Sequence, residues 1–277
     1  MEFAAGIAFF LLLAAIVAWG LVGRSLWRAA RRARIARRPF PPGWRDILRR
    51  RFALWPTLPA HVQLQLKRRM LVLLAEVPFI GCAGQTIDDE VRVLVAAQAS
   101  LLLLGRGGGF GNLREVLVYP GHFVAPHTES GGGGVVHESR AVLAGQSWQR
   151  GQVILAWDAV LDGAADAHDG ANVVIHEFAH QIDQDKGVAN GAPFVGRRAD
   201  QERWAQVMRA EFEALQARLA RGESGLIDSY AASAPAEFFA VISELFFEKA
   251  AELAAAHPAL FSELQRCYRV DPRAWAS

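Results

Sequence analysis

Residues 172–183 read NVVIHEFAHQID, with His176 and His180 four apart and Glu177 directly after the first histidine. On an α-helix, positions i and i+4 share a face and lie about 5–6 Å apart at Cβ. Two imidazoles so placed can bind a single Zn2+ at about 2.0–2.1 Å. Glu177 falls one step round the helix, where it reaches a water on that metal rather than the metal and can serve as general base. Val173, Val174, Phe178 and Ile182 supply apolar packing. Asp169 or Asn172 can cap a helix predicted over 171–185. Two histidines and a glutamate are costly to bury in such surroundings without a purpose, which argues against an accidental match.

A catalytic zinc takes a third protein ligand and keeps a position for water. The other histidines are His61, His122, His127, His137, His168 and His257, none of them in a familiar continuation of the motif, and position 186 is a lysine. The remaining source is a carboxylate from another helix. SAPAEFFAVISELFFEKA, 233–250, predicts one, with Ser233 as cap and Pro235 in the first turn. Glu237, Glu244 and Glu248 recur on one face, which also holds Ala240 and Val241. Inward-facing carboxylates there suit a ligand or the support of one. Glu248, followed by Lys249, best fits an ordinary exposed acid. The glycine-rich stretches GRGGGFGN (105–112) and SGGGGVV (130–136) lack the residues of dinucleotide and phosphate loops and read as turns.

The elements that must position these residues follow from periodicity. Helices are predicted over 59–76, 87–104 (capped at Thr86, with Asp89 three on), 201–220, 235–250 and 258–268. Short strands are predicted at EVLVY (115–119) and QVILAW (152–157), the latter a candidate edge along which a peptide backbone pairs. The fold class is α+β, helix-rich with a small mixed sheet. Cys82 and Cys267 are far apart in apolar surroundings, which reads as two buried thiols in a reducing compartment.

Residues 3–22 carry no charge, and twenty such residues rise about 30 Å as a helix, enough to cross a bilayer core. A signal peptide would carry positive charge ahead of the run, where only Glu2 stands. Residues 24–51 hold eleven arginines against one acid, Asp46, a pattern that marks the cytoplasmic side of a span. The expectation is a single-pass inner-membrane protein with its catalytic domain in the cytoplasm. Its parts are a transmembrane anchor (1–23), a basic juxtamembrane linker (24–51) and the main domain (52–277). The whole chain totals +2, so with that basic stretch and Glu2 set aside, residues 52–277 carry about −7. An acidic main domain is a poor phosphate binder, so no nucleic-acid partner is expected.

DGANVVIHEFAHQIDQDKG, VLAGQSWQRGQVILAWDAV and YAASAPAEFFAVISELFFE together resemble the Mlc titration factor A family of zinc-dependent peptidases, from about residue 52 to the C-terminus. The resemblance implies a zincin-like domain related to the anthrax lethal factor catalytic core, holding one Zn2+ per chain. It implies His176, His180 and Glu237 as zinc ligands, Glu177 as base and Tyr230, seven residues before Glu237, as a further catalytic group. Aminopeptidase activity and binding of the glucose-responsive repressor Mlc are both implied by the family. Thermolysin-like enzymes place an aspartate four residues after the ligand glutamate; here that position is Val241, which leaves Glu244 or Asp183 to support a histidine. The leading expectation is a zinc peptidase acting on a peptide or protein substrate. The alternatives are a zinc-containing protein that binds a repressor or other cytoplasmic partner with little turnover, and a membrane-tethered scaffold without metal.

Overall fold

The computed structural model describes residues 19–20, 23–121, 123–131, 135–143, 145–148, 151–187 and 189–275. The chain divides into two compact units, Met1–Pro39 and Phe40–Ser277, the break falling in the proline-rich stretch 37–44. In the first unit, residues 23–36 form a helix, α1, carrying Arg24, Arg28, Arg31, Arg32 and Arg34. This unit corrects the expected membrane span over 3–22, and with it the membrane partner and the inner-membrane location. No helix among the described residues is long and apolar enough to cross a membrane. The described helix carries five arginines, and each would cost about 2.5–3.5 kcal/mol in hydrocarbon. Residues 3–18 and 21–22 of the apolar run lie outside the described residues.

The second unit opens with α2 (Pro42–Arg51), whose Ile47 and Leu48 are buried. The stretch 24–51, expected as a linker, is therefore helical over 23–36 and again over Pro42–Arg51. Helix α3 (Ala60–Glu76) buries Val62, Leu66, Met70, Leu73 and Leu74, a stripe at helical spacing. Helix α4 (Asp89–Leu101) is buried almost all round, which explains its continuous apolar run. It is capped by Asp88, whose side chain accepts the Val91 N–H at 2.9 Å, and not by Thr86. Asp88 has the extended backbone that a cap requires and sits directly before the first helical residue.

Strands β1 (Phe79–Gly81), β2 (Glu115–Tyr119), β5 (Gly145–Trp148) and β6 (Gln152–Ala156) form a sheet of order β1-β2-β6-β5. The β1–β2 and β2–β6 pairs are parallel, and β5 runs antiparallel to β6. QVILAW is therefore no edge strand: β6 is hydrogen-bonded on both sides, and its residues 153–156 are buried. A strand with two partners has no free N–H and C=O row to offer a peptide. Strands β3 (Phe123–Gly131) and β4 (Val135–Leu143) pair with each other as a separate antiparallel ribbon. Gly132–Gly134, the centre of the second glycine-rich stretch, lie outside the described residues.

Among the described residues, six α-helices follow β6: α5 (Trp157–Ala165), α6 (Val173–Asp183), α7 (Arg198–Ala220), α8 (Pro235–Glu248), α9 (Ala250–Ala256) and α10 (Pro258–Tyr268). Helix α6 packs on β5 and β6 and faces α8. Residues 238–248 of α8 are all buried, so its apolar sequence reflects contact on every side. Phe246, Phe247 and Tyr268 pack with ring centroids 5.0–5.5 Å apart, and Ser243 shares a 2.7 Å hydrogen bond with the buried Tyr268 hydroxyl. Cys82 and Cys267 are free thiols, Cys267 buried and Cys82 partly exposed.

Candidate metal centre

Helix α6 starts one residue after Asn172, whose Oδ1 accepts the Ile175 N–H at 3.0 Å. This is the second of the two caps the sequence offered. Asn172 also ties the helix to α8. Its backbone N–H donates to Glu244 Oε2 at 2.5 Å, and its Nδ2–H donates to Glu248 Oε1 at 2.9 Å. Phe178, fully buried on the opposite side, meets Phe110 edge-on at 4.7 Å. The helix is thus held in one rotational setting, with His176 and His180 toward α8.

Across the gap, α8 begins after Ala234, not with a side-chain cap from Ser233; the Ser233 hydroxyl instead donates to Tyr230 O at 2.7 Å. Glu237 lies in the first turn, where the helix dipole favours a carboxylate. Its Oε2 is 3.0 Å from His176 Nε2, and its Oε1 is 3.4 Å from His180 Nε2. The three residues each offer a ligand atom within 4.8 Å of the others. Glu244, two turns along, places Oε1 2.8 Å from His176 Nδ1. One imidazole is therefore gripped by carboxylates at both nitrogens.

The electrostatics follow from this packing. Burial alone would lower the His176 pKa, but bonds to Glu237 and Glu244 outweigh it and raise it well above the usual histidine range. Burial acts the other way on Glu237, yet the bonds from His176 and His180 hold its carboxyl well below the usual range. Glu177 is buried, and its Oε2 has no partner; desolvation pushes its carboxyl up to about 7, against the pull of the two histidines. Tyr230 is about half exposed, with its ring centroid 6.0 Å from that of His176. Burial and the Glu237 carboxylate, which its hydroxyl meets, raise its pKa.

The donor set fits a metal. Two atoms bound at 2.0–2.1 Å to one tetrahedral zinc stand roughly 3.3–3.4 Å apart, close to the separations seen here. Two imidazoles and one carboxylate form a three-ligand set that leaves a fourth position free. Buried His180 Nδ1 has no partner, which leaves the second imidazole less supported than the first.

Asp183 is buried but does not bond a histidine; its Oδ2 accepts the Gly191 N–H at 2.6 Å. Glu248 departs from the exposed acid its neighbour Lys249 suggested: it is 8% exposed and bonded to Asn172. Sequence reasoning missed Gly191 altogether. Its only signal is the Asn190–Gly191 pair, a turn signature without chemistry of its own.

Comparison with known proteins agrees with this picture. The family described as glucose-regulated metallo-peptidase M90 matches residues 26–269. A protein of Salmonella agona named Mlc titration factor A is 43% identical over 236 residues, covering 83% of this chain and 86% of its own. The Mlc titration factor A of Pectobacterium atrosepticum is 35% identical over 213 residues, 76% of each chain. A Synechocystis protein, slr2042, is 39% identical over 248 residues, 89% of this chain and 90% of its own. The resemblance read from the three sequence blocks is therefore borne out, and the chain belongs to the M90 metallopeptidase family.

Proposed function

We propose that the protein is a zinc-dependent peptidase, with His176, His180 and Glu237 as the ligands of one zinc. The convergence of these three side chains between α6 and α8 carries the reading. Zinc in such a site supplies Lewis acidity toward water and the scissile carbonyl. Glu177 takes a proton from the attacking water and passes it to the leaving amine; a carboxyl near 7 is suited to both halves of that transfer. The Tyr230 hydroxyl donates a hydrogen bond to the oxyanion of the tetrahedral intermediate. Glu244 accepts from His176 Nδ1 and so fixes the ring's orientation and tautomer. The substrate backbone pairs with β5, which among the described residues is an edge of the sheet, bonded to β6, and packs on α6.

The names of the relatives favour a second reading, a zinc-containing protein that binds the Mlc repressor with little turnover. One experiment addresses both. Hydrolysis of peptide arylamides and of longer peptides is measured for the wild type and for Glu177→Gln, alongside zinc content. The peptidase reading expects about one zinc in each protein and turnover only in the wild type. Zinc without turnover in either, together with Mlc binding, would shift the assignment to the second reading.

A further inference from the structure

Asp183 closes α6, three residues beyond His180. Its buried carboxylate receives the Gly191 N–H at Oδ2, at 2.6 Å, while Oδ1 is buried without a partner. From the other side, Trp204 of α7 donates Nε1–H to the Gly191 carbonyl at 3.0 Å. Gly191 is thus held by both of its peptide groups. Its φ is +75°, a conformation that side chains disfavour. A Cβ on it would stand 2.4 Å from the Pro235 carbonyl oxygen and 2.9 Å from the carbonyl carbon. The turn therefore lies backbone-to-backbone against the first residue of α8, two residues ahead of Glu237. The far end of α6 is joined to α8 through Asn172, Glu244 and Glu248. The two helices that bear the candidate ligands are consequently tied at both ends of α6.

We propose that Asp183 is a positioning residue of the metal centre, acting through the Gly191 turn to hold the start of α8 where Glu237 meets His176 and His180. The inference rests on the metal-site reading above. Asp183 itself touches none of the reacting groups. It supplies an acceptor that fixes the turn, and the turn supplies a flat surface on which Pro235 seats. Glycine is required because any side chain would push Pro235, and Glu237 with it, away from the histidines.

The test measures the zinc dissociation constant of the full chain by chelator competition, with the melting temperature of the metal-free protein alongside. Trp204→Phe removes one hydrogen bond and keeps a ring. Gly191→Ala puts a methyl against Pro235, and Asp183→Ala removes the acceptor. Each is expected to weaken zinc binding about 10–100-fold, the range for groups that support a ligand. Asp183→Asn, which retains an oxygen for the Gly191 N–H, should recover part of the loss. Leu253→Ala, buried on α9 outside this chain of contacts, should lower the melting temperature and leave zinc affinity within about twofold of wild type. His176→Ala should lose the metal. If it does, while the turn variants bind zinc as the wild type does, the positioning role is overturned and the metal site stands. Equal weakening by Leu253→Ala would also overturn it, since general destabilisation would then explain the effect. Failure of the wild type to bind zinc, or full binding by His176→Ala, removes the metal site and this inference together. Should Asp183→Ala not fold, Trp204→Phe and Gly191→Ala decide the matter.

Discussion

Glu248→Gln isolates one buried charge and gives a stability change of calculable sign. Glu248 ends α8, and its Oε1 accepts from Asn172 while Oε2 is buried without a partner. Burial pushes its carboxyl from 4.5 up to about 8; the Asn172 N–H opposes this in part, and the Asp169 and Glu244 carboxylates add to it. Between those two values the folded protein holds a proton that the unfolded chain has released. The stability from this group is therefore fully present below about pH 4.5 and lost as pH rises through about 8. At about 1.36 kcal/mol per pKa unit, the whole window is worth on the order of 4–5 kcal/mol, of which roughly 2–3 kcal/mol is lost between about pH 6 and pH 9. Glutamine resembles the protonated acid and keeps an acceptor for Asn172, but it does not titrate. Urea unfolding of both proteins at pH 6 and pH 9, with a chelator present so that metal binding does not contribute, measures the difference. The wild type should lose roughly 2–3 kcal/mol more than the variant over that interval. Parallel pH profiles would refute the reasoning, since they would mean that Glu248 is solvated or already ionised in the folded state.

Glu237→Ala should abolish both zinc binding and turnover, whereas Glu244→Ala should keep zinc at saturating metal with affinity or rate lowered about 10–100-fold; metal titration and peptide hydrolysis distinguish them, and the reverse pattern would exchange their roles. Tyr230→Phe should retain zinc and reduce kcat about 100–1000-fold, as the loss of an oxyanion donor does. Unchanged kcat would remove Tyr230 from the mechanism. Asn172→Ala removes a helix cap and leaves Glu248 short of a buried donor, while the backbone N–H that serves Glu244 remains, so unfolding free energy should fall by roughly 2–4 kcal/mol in denaturant titration.

The helix bearing His176 and His180 was legible because a 3.6-residue period, a cap and two i, i+4 histidines all act within one segment. The strands at 115–119 and the start of α8 at Pro235 were legible for the same reason: β-branched alternation and a proline in the first turn are local signals. Glu237, Glu244 and Glu248 share a face in sequence, and nothing local separates a ligand, a support and a buried acid. The structure separates them by distance along α8 from the histidines: Glu237 meets His176 and His180 at Nε2, Glu244 meets His176 at Nδ1, and Glu248 meets Asn172. The apparent exposure of Glu248 beside Lys249 failed because burial of a helix end depends on what packs over it.

Strand order is decided in the same way. QVILAW has strand character wherever it lies, but whether it is an edge depends on β5, which reaches it from the preceding segment and takes its free side. Residue types and spacing alone determined that this protein carries a His–Glu–His helix and a carboxylate-bearing helix, because those patterns are written within about a dozen consecutive residues. Only the tertiary structure decided which carboxylate faces which nitrogen, and that a glycine eight residues past Asp183 lies against the first residue of α8. His176 and Glu244 are 68 residues apart, and Gly191 meets Pro235 backbone-to-backbone, so neither relation is written in the spacing of any one segment.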